Sequence, residues 1–296
     1  MVTVKVPATS ANVGAGFDAL GLAVSMHNVV SMEEWDRLDI QATDGSKIPT
    51  GTSNLVYRSA KAVYDQLNKP LHGMRIRQQN AIPMARGLGS SSACIVAGIV
   101  GANALLGSPL SQQQMLTLAT AMEGHPDNVA PALLGGFVSS VCEEGQVYSV
   151  RKEVDSNLSF AAFVPDFKLL TEQARAALPE MVSRRDAIYN LSRSALAFSA
   201  FCEGAHELLP IVTKDALHQQ YRLPLIPGAE RIFEIAWDLG ADAVYVSGAG
   251  PTIMAVVQRD NTAFWEQAQE ATQQYAETKP FRVHRMLADN IGAMVL

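Results

Sequence analysis

Cysteine is scarce: Cys94, Cys142 and Cys202 are the only three in 296 residues, far apart and odd in number. No CxxC or other metal-ligand spacing accompanies them. A disulfide framework and a structural zinc site are therefore not expected, and a reducing compartment is the natural setting. Charge is also sparse, at 18% of residues, with no block rich in Lys or Arg. The net charge of −6 and pI near 5.5 argue against a binder of phosphate backbones, so no nucleic-acid partner is expected. Long hydrophobic runs are missing. The most apolar stretch, Ala93 to Gly107, is about 15 residues and glycine-rich, short of the ~20 that a membrane span needs. The opening Met1-Val-Thr-Val-Lys-Val6 alternates like a strand and lacks the basic and apolar regions of a signal peptide. There is no internal repeat and no low-complexity tract. These absences leave a cytoplasmic, soluble protein, most simply an enzyme, with no membrane partner.

What is present is apolar bulk. Hydrophobic residues make up 48% of the chain, too many for disorder. The length, at ~150 residues per domain, suggests about two domains. Composition turns polar around residues 150–158, which places the boundary so that residues 1–153 and 154–296 form the two parts.

Strands are expected at Val2–Val6, within Val24–Ile40, at Arg75–Gln79 and at Gly135–Cys142. Asp44–Gly51 reads as a loop. Val56, Ala60, Val63 and Leu67 have helical spacing within Asn54–Leu67. A glycine/serine loop, Gly87–Ser92, leads into an apolar helix, Ala93–Leu106, and Ser111 caps a further helix, Gln112–Met122. The second half opens with a buried strand, Phe160–Val164. Helices follow at Thr171–Leu178, Asp186–Cys202, Ala229–Leu239 and Thr262–Thr278, and strands at Ala243–Val246, Ile253–Val257 and Phe281–Arg285. This mixture predicts an α+β fold.

Four segments could carry chemistry. In Pro83-Met-Ala-Arg-Gly-Leu-Gly-Ser-Ser-Ser-Ala93, small residues let backbone approach a ligand closely. The free amides and positive end of the following helix suit a nucleotide's phosphates, and the serine hydroxyls can add bonds to phosphate or Mg2+. The segment is not a Walker A loop, because GxxxxGK[ST] is absent. Read without function, it is a flexible turn before a buried helix. In Pro7-Ala-Thr-Ser-Ala-Asn-Val-Gly-Ala-Gly-Phe-Asp18, Asn12 and Asp18 flank two glycines and could bind a small polar substrate, or simply form a turn. In Glu123-Gly-His-Pro-Asp-Asn-Val-Ala-Pro131, a carboxylate could hold Mg2+, which takes one or two carboxylates plus phosphate oxygens. The alternative is an ordinary helix end. Ser247-Gly-Ala-Gly-Pro-Thr252 joins two strands as a glycine-rich hairpin loop. The remaining histidines are scattered and read as surface or packing residues.

Taken in order, PATSANVGAGFD, PMARGLGSSSA and SGAGPT resemble the GHMP kinase superfamily, and EGHPDNVAPALLGG is similar to its homoserine kinase family. The likeness runs from Val4 to about Gln258; Ala15 stands where that family often has Pro. The resemblance implies a two-domain GHMP kinase fold: an N-terminal domain like the second domain of ribosomal protein S5, and a ferredoxin-like C-terminal domain. It implies transfer of phosphate from ATP to L-homoserine, giving O-phospho-L-homoserine on the route to threonine, and a homodimer as a family-level expectation. By resemblance, Pro83, Met84, Ala85, Arg86, Gly87, Leu88, Gly89, Ser90, Ser91, Ser92 and Ala93 wrap the phosphates, and Asn54 lies near the adenine. Ser91 and Glu123 hold Mg2+. Asn12, Asp18, His125 and Asn128 surround the homoserine amine and hydroxyl, with Asp18 and Asn128 holding the attacking group. Arg175 and Arg222 grip the carboxylate, which suits arginine's planar fork. Without the family, Arg175 reads as a solvated helix charge. Asp127 is the nearest candidate for a base, although phosphoryl transfer can proceed by positioning and electrostatics alone. A kinase for a mevalonate-like alcohol or a sugar, and a non-catalytic binding protein on the same scaffold, are the competing readings.

Overall fold

A computed structural model describes residues 1–296. The first half builds six strands of a seven-stranded sheet. Its elements are β1 (Val2–Ala11), β2 (Leu20–Glu34), β3 (Asp39–Ala42), α1 (Leu55–Gln66), β4 (Met74–Asn80), α2 (Ser90–Leu105), α3 (Gln112–Glu123), α4 (Pro126–Leu134), β5 (Phe137–Glu143) and β6 (Gln146–Lys152). The second half contributes β7 (Leu158–Pro165), α5 (Thr171–Ala176), α6 (Arg184–Cys202), α7 (Leu209–Val212), α8 (Gln219–Arg222), α9 (Ala229–Asp238), β8 (Ala243–Val246), β9 (Ile253–Gln258), α10 (Thr262–Thr272) and β10 (Phe281–Met286). β11 (Met294–Val295) then returns to the first sheet, where Val295 pairs with Val4.

The central ribbon of the first sheet is the antiparallel pair β1–β2, whose register shifts between Pro7 and Ala8. β3 joins β4 in parallel, and β5 pairs with β2 and β6. The second sheet has the order β10-β7-β9-β8, all antiparallel. Numbered from β7, that is the 4-1-3-2 order of a ferredoxin-like sheet, covered by α9 and α10. The α+β expectation is met.

Helix α2 is buried almost all round, which its amphipathic neighbours make possible. On α1, Val56, Ala60, Val63 and Tyr64 are buried, one stripe at helical spacing. A Cβ on Gly98 of α2 would lie 2.4 Å from the Val56 carbonyl, so glycine here sets the approach of the two helices. Between α3 and α4 the chain turns at Gly124 and restarts on Pro126 at the first helical position. The segment Glu123–Pro131 is therefore a junction between two helices rather than a helix end. Ser90, Ser91 and Ser92 form the first turn of α2 instead of a loop before it. β6 was not expected; its outward face is exposed and its charged end reads as linker. α10 stops at Thr272, short of Thr278, which folds back so that its hydroxyl donates to the Thr272 carbonyl at 2.7 Å.

The larger hydrophobic core crosses from one half to the other. Phe137 of β5 stacks on Phe201 of α6 at 4.9 Å between centroids and meets Phe198 edge-on at 5.2 Å. A smaller core lies between the second sheet and helices α9 and α10.

Candidate active site

One cavity of about 400 Å3 opens where the two halves meet. Its walls come from the Asn12–Asp18 loop, the Met84–Ser91 turn, the Glu123–Asn128 junction, Arg175 of α5, Arg222 of α8 and the Gly248–Ala249 loop. Most of the expected site residues thus converge. Four do not line it. Leu88, Ser92 and Ala93 have buried side chains: Leu88 enters the larger core just before α2, and Ser92 and Ala93 lie on the inner side of that helix. Pro83 lies in a separate depression beside Met26 and Pro165.

The glycine turn is tight for a reason internal to the protein. A Cβ on Gly87 would come within 2.4 Å of the Ser247 carbonyl, and one on Gly89 within 1.9 Å of Thr9 Oγ1. Both have positive φ, 77° and 68°. The small residues therefore let this turn pack on β1 and on the 247–250 loop, besides exposing backbone to a ligand. Gly89 caps α2 without a side-chain bond, and the amides of Ser90, Ser91 and Ser92 donate to no backbone carbonyl. Those amides and the helix dipole make the turn suited to an anion. Arg86 does not offer its charge there. Its guanidinium donates to the carbonyls of Met84, Pro165 and Asp166 and so ties the turn to β7.

Ser91 Oγ and Ser92 Oγ both donate to Glu123 Oε1, at 2.7 and 2.9 Å. This oxygen cluster at the mouth of α2 is a donor set for a hard divalent cation. Cys94, one turn further, lines the same wall, and burial with Glu123 nearby pushes its thiol up to about 11. Asn54 is occupied structurally. It caps α1 by accepting from the Tyr57 amide at 3.2 Å and donates to Pro49 O and Gln78 Oε1, both at 2.8 Å. Beside it, Ile48, Pro49 and Leu55 supply an apolar wall, the first two from the expected Asp44–Gly51 loop and the third from the start of α1.

At the other end of the cavity, charged groups cluster. Asp18 and Arg175 form a two-pronged ion pair, with bonds of 2.7 and 3.0 Å. This pairing raises the Arg175 pKa further, against the opposing effect of burial. His125 Nδ1 lies 2.6 Å from Asp127 Oδ1, and that bond raises the imidazole above its ordinary value. Asp18, His125 and Asp127 each offer a ligand atom within 4.8 Å of the others, a concave seat for a cation. Asn12, expected to touch substrate, lines the cavity and also braces it: its Nδ2 donates to Gly248 O and its Oδ1 accepts from the Asp18 amide, both at 2.9 Å. It holds two walls of the cavity together.

Arg222 is 2% exposed, the largest fully buried side chain. Nη1 donates to Gly248 O at 2.8 Å and lies 3.3 Å from His218 Nδ1, while Nε has no partner. Burial first, then Arg175, lowers its pKa to about 10. Phe17 lies beneath both cations, 5.3 Å from the Arg222 guanidinium carbon and 5.7 Å from that of Arg175. Arg222 is held in place by residues that the sequence did not single out. His218 Nε2 is 2.9 Å from Gly14 O, and Asp215 accepts from the His218 and Gln219 amides at 2.8 and 2.7 Å to start α8. The glycine hairpin loop also acts here, since Gly248 O is shared by Asn12 and Arg222 and Ser247 Oγ donates to Gly87 O. No sequence spacing links residues 12, 87, 218 and 248.

Comparison with known proteins gives the lineage. The GHMP kinases N terminal domain matches residues 54–136, and the GHMP kinases C terminal domain matches residues 193–273. The chain is 42% identical over its whole length to a homoserine kinase of Caldicellulosiruptor saccharolyticus, covering 96% of that protein. It is 41% identical to one of Clostridium beijerinckii, again over the whole chain and 99% of the relative. Among solved structures, a homoserine kinase from Cytophaga hutchinsonii superposes with a TM-score of 0.87 at 28% identity, covering 100% of this chain and 97% of that one. A mevalonate kinase from Methanococcus jannaschii shares the fold, with a TM-score of 0.72 at 14% identity, over 97% and 98% of the two chains. With both family domains matched and full-length relatives above 40% identity, the chain belongs to the GHMP kinases, in the family of homoserine kinases.

Proposed function

We propose that this enzyme transfers the γ-phosphoryl group of ATP to the hydroxyl of L-homoserine. The observation that carries the reading is the layout of one cavity. A helix N-terminus with free amides stands at one end, and a zwitterion-sized set of charges, Asp18, Asp127 and His125 with Arg175 and Arg222, stands at the other. An α-amino acid needs anionic partners for its ammonium and cationic partners for its carboxylate, and both are present at one place.

In this reading the Met84–Ser91 turn receives the phosphates through backbone amides, and the Ile48–Pro49–Leu55 wall receives the adenine. Ser91 and Glu123 would hold Mg2+, an assignment supported by their 2.7 Å contact. When bound, that ion neutralises charge on the transferring phosphoryl group. Asp18, Asp127 and His125 surround the ammonium. Arg222, with Nη2 free of protein hydrogen bonds, takes the carboxylate, and Arg175 joins it once released from Asp18. The substrate hydroxyl, held by Asp18 and Asn128, attacks the γ-phosphorus in line. The new O–P bond forms as the bond to the bridging oxygen breaks, its electron pair leaves with ADP, and the hydroxyl proton passes to a phosphate oxygen. Asp127 is engaged by His125 and Asn128, which supports a charge-holding role over that of a base.

The same reading divides the chain into residues 1–153 and 154–296, with ATP and substrate at the joint, and assigns a cytoplasmic location. No helix is long and apolar enough to cross a membrane. Coupled ADP release with L-homoserine, L-serine, L-threonine and mevalonate tests the reading. Preference for L-homoserine is the expected result; preference for mevalonate, or turnover with none of the four, overturns it.

A further inference from the structure

Thr9 is fully buried on β1, with no exposed surface. Its hydroxyl is nevertheless directed at the catalytic end of the cavity: Oγ1 donates to Asn128 Oδ1 at 2.7 Å. The other side of the Asn128 amide faces a carboxylate, with Nδ2 donating to Asp127 Oδ1 at 3.3 Å. Asp127 Oδ1 also takes the contact from His125 Nδ1 at 2.6 Å. These neighbours decide the amide's orientation. Turned over, Asn128 would set its carbonyl oxygen against an acceptor-only carboxylate, so Nδ2 must face Asp127 and Oδ1 must face Thr9. The Thr9 hydroxyl then has one role left, that of donor.

We propose that Thr9 is a positioning residue for phosphoryl transfer, locking the Asn128 amide so that it offers its remaining N–H to the oxygen of the attacking hydroxyl. The inference rests on the kinase reading above. An N–H on the nucleophile's oxygen orients that oxygen and leaves its own hydrogen directed away from Asn128, toward Asp18 or a phosphate oxygen. Thr9 also registers this group against the phosphates. Its amide donates to Leu88 O at 3.2 Å, and Gly89 passes so close that any Cβ would strike Thr9 Oγ1 at 1.9 Å. One residue of the sheet thus indexes both the phosphate turn and the group that holds the nucleophile.

The test is a double-mutant cycle on the full chain, read by ADP release at saturating ATP and L-homoserine. Activity of the parent with L-homoserine establishes the underlying reading separately. Thr9→Val keeps the shape and removes the donor; leaving Asn128 Oδ1 unpaired predicts a kcat about 10- to 100-fold lower, with KM for ATP changed less than about threefold. Thr9→Ser restores the donor and is expected within about threefold of the parent. In an Asn128→Ala background, Thr9→Val is expected to cost nothing more, because its effect passes through that amide. Three results would overturn the proposal: Thr9→Val with kcat within about twofold of the parent, Thr9→Ser as impaired as Thr9→Val, or full additivity of Thr9→Val with Asn128→Ala, the pattern of a general folding defect.

Discussion

Asp18 and Arg175 close on each other through two hydrogen bonds, 2.7 and 3.0 Å, across the mouth of the cavity. Both were expected to face the substrate, one its ammonium and the other its carboxylate. Each satisfies the other, so in the proposed reading a bound amino acid would exchange this one internal ion pair for two to itself. About a third of each side chain is exposed, at 34% and 38%.

Asp18→Asn is expected to lower kcat/KM for L-homoserine about 10- to 100-fold, since the amide keeps the shape but puts a donor where ammonium and hydroxyl need an acceptor. Stability should hardly change, because so exposed a pair contributes only ~0–1 kcal/mol. Steady-state kinetics beside a melting curve separates these effects. A rate within about twofold of the parent would mean that Asp18 is only a turn residue, a place that Asn fills well.

Glu123→Ala removes the oxygen that Ser91 and Ser92 share. In the proposed role of Glu123 as a Mg2+ ligand, its loss takes away several kcal/mol of charge stabilisation, so kcat should drop on the order of 100-fold or more while ATP still binds to the turn in part. Turnover at saturating Mg2+ and nucleotide binding by fluorescence are the measurements. Near-normal kcat would show that the ion is held elsewhere.

Arg222→Lys is expected to raise KM for L-homoserine about 10- to 100-fold and KM for ATP little, a loss of ~1–3 kcal/mol for a charge-assisted bond that lysine cannot duplicate. Lysine also cannot serve Gly248 O and the ligand with one planar fork. Equal changes in both KM values would point to damage of the cavity as a whole.

Acid should weaken the fold at His218. Burial lowers its pKa below the ordinary 6.5, so the unfolded chain binds the proton more readily and stability falls as pH drops from about 6.5 through the folded value. Protonation would also end the acceptor role of Nδ1 beside the Arg222 cation, although Asp215 and Asp18 lie near enough to soften the effect. His125 acts in the opposite direction: its pKa is raised, so its contribution is complete below about 6.5 and is lost as pH rises through the folded value. The comparison of melting points of the parent and His218→Gln between pH 5 and 8 isolates the first effect. A shallower acid-side slope in the variant is expected, and identical slopes would rule the assignment out.

Most of the strands, the long helices and the four glycine-bearing segments were legible because each is a local pattern: alternation, a 3.6-residue stripe, or a cluster of small residues. Roles were less legible. Asn54 and Asn12 sit in motifs that point to ligand contact, and their amides also bind Pro49, Gln78, Gly248 and the Asp18 backbone. A sequence shows that an amide is available but not what else will claim it. Thr9, His218 and Gly248 were given no individual role because each acts through a partner distant along the chain, 119, 204 and 236 residues away. Arg86 carries the right charge in the right turn, and tertiary carbonyls capture it first.

The aromatic stack of Phe137 on Phe201 welds the walls of the cleft from behind. A hydrophobic core shared by both halves opposes a jaw-like opening, because such a rotation would shear close-packed side chains. The spacing of the cavity walls is therefore set by the core behind them, and the lightly packed part of the rim is the short α5, six residues long, which carries Arg175 and is preceded by the exposed Leu170. The cleft is a firm floor with one slender rim, and on that rim the Arg175 guanidinium hydrogen-bonds to Asp18 alone.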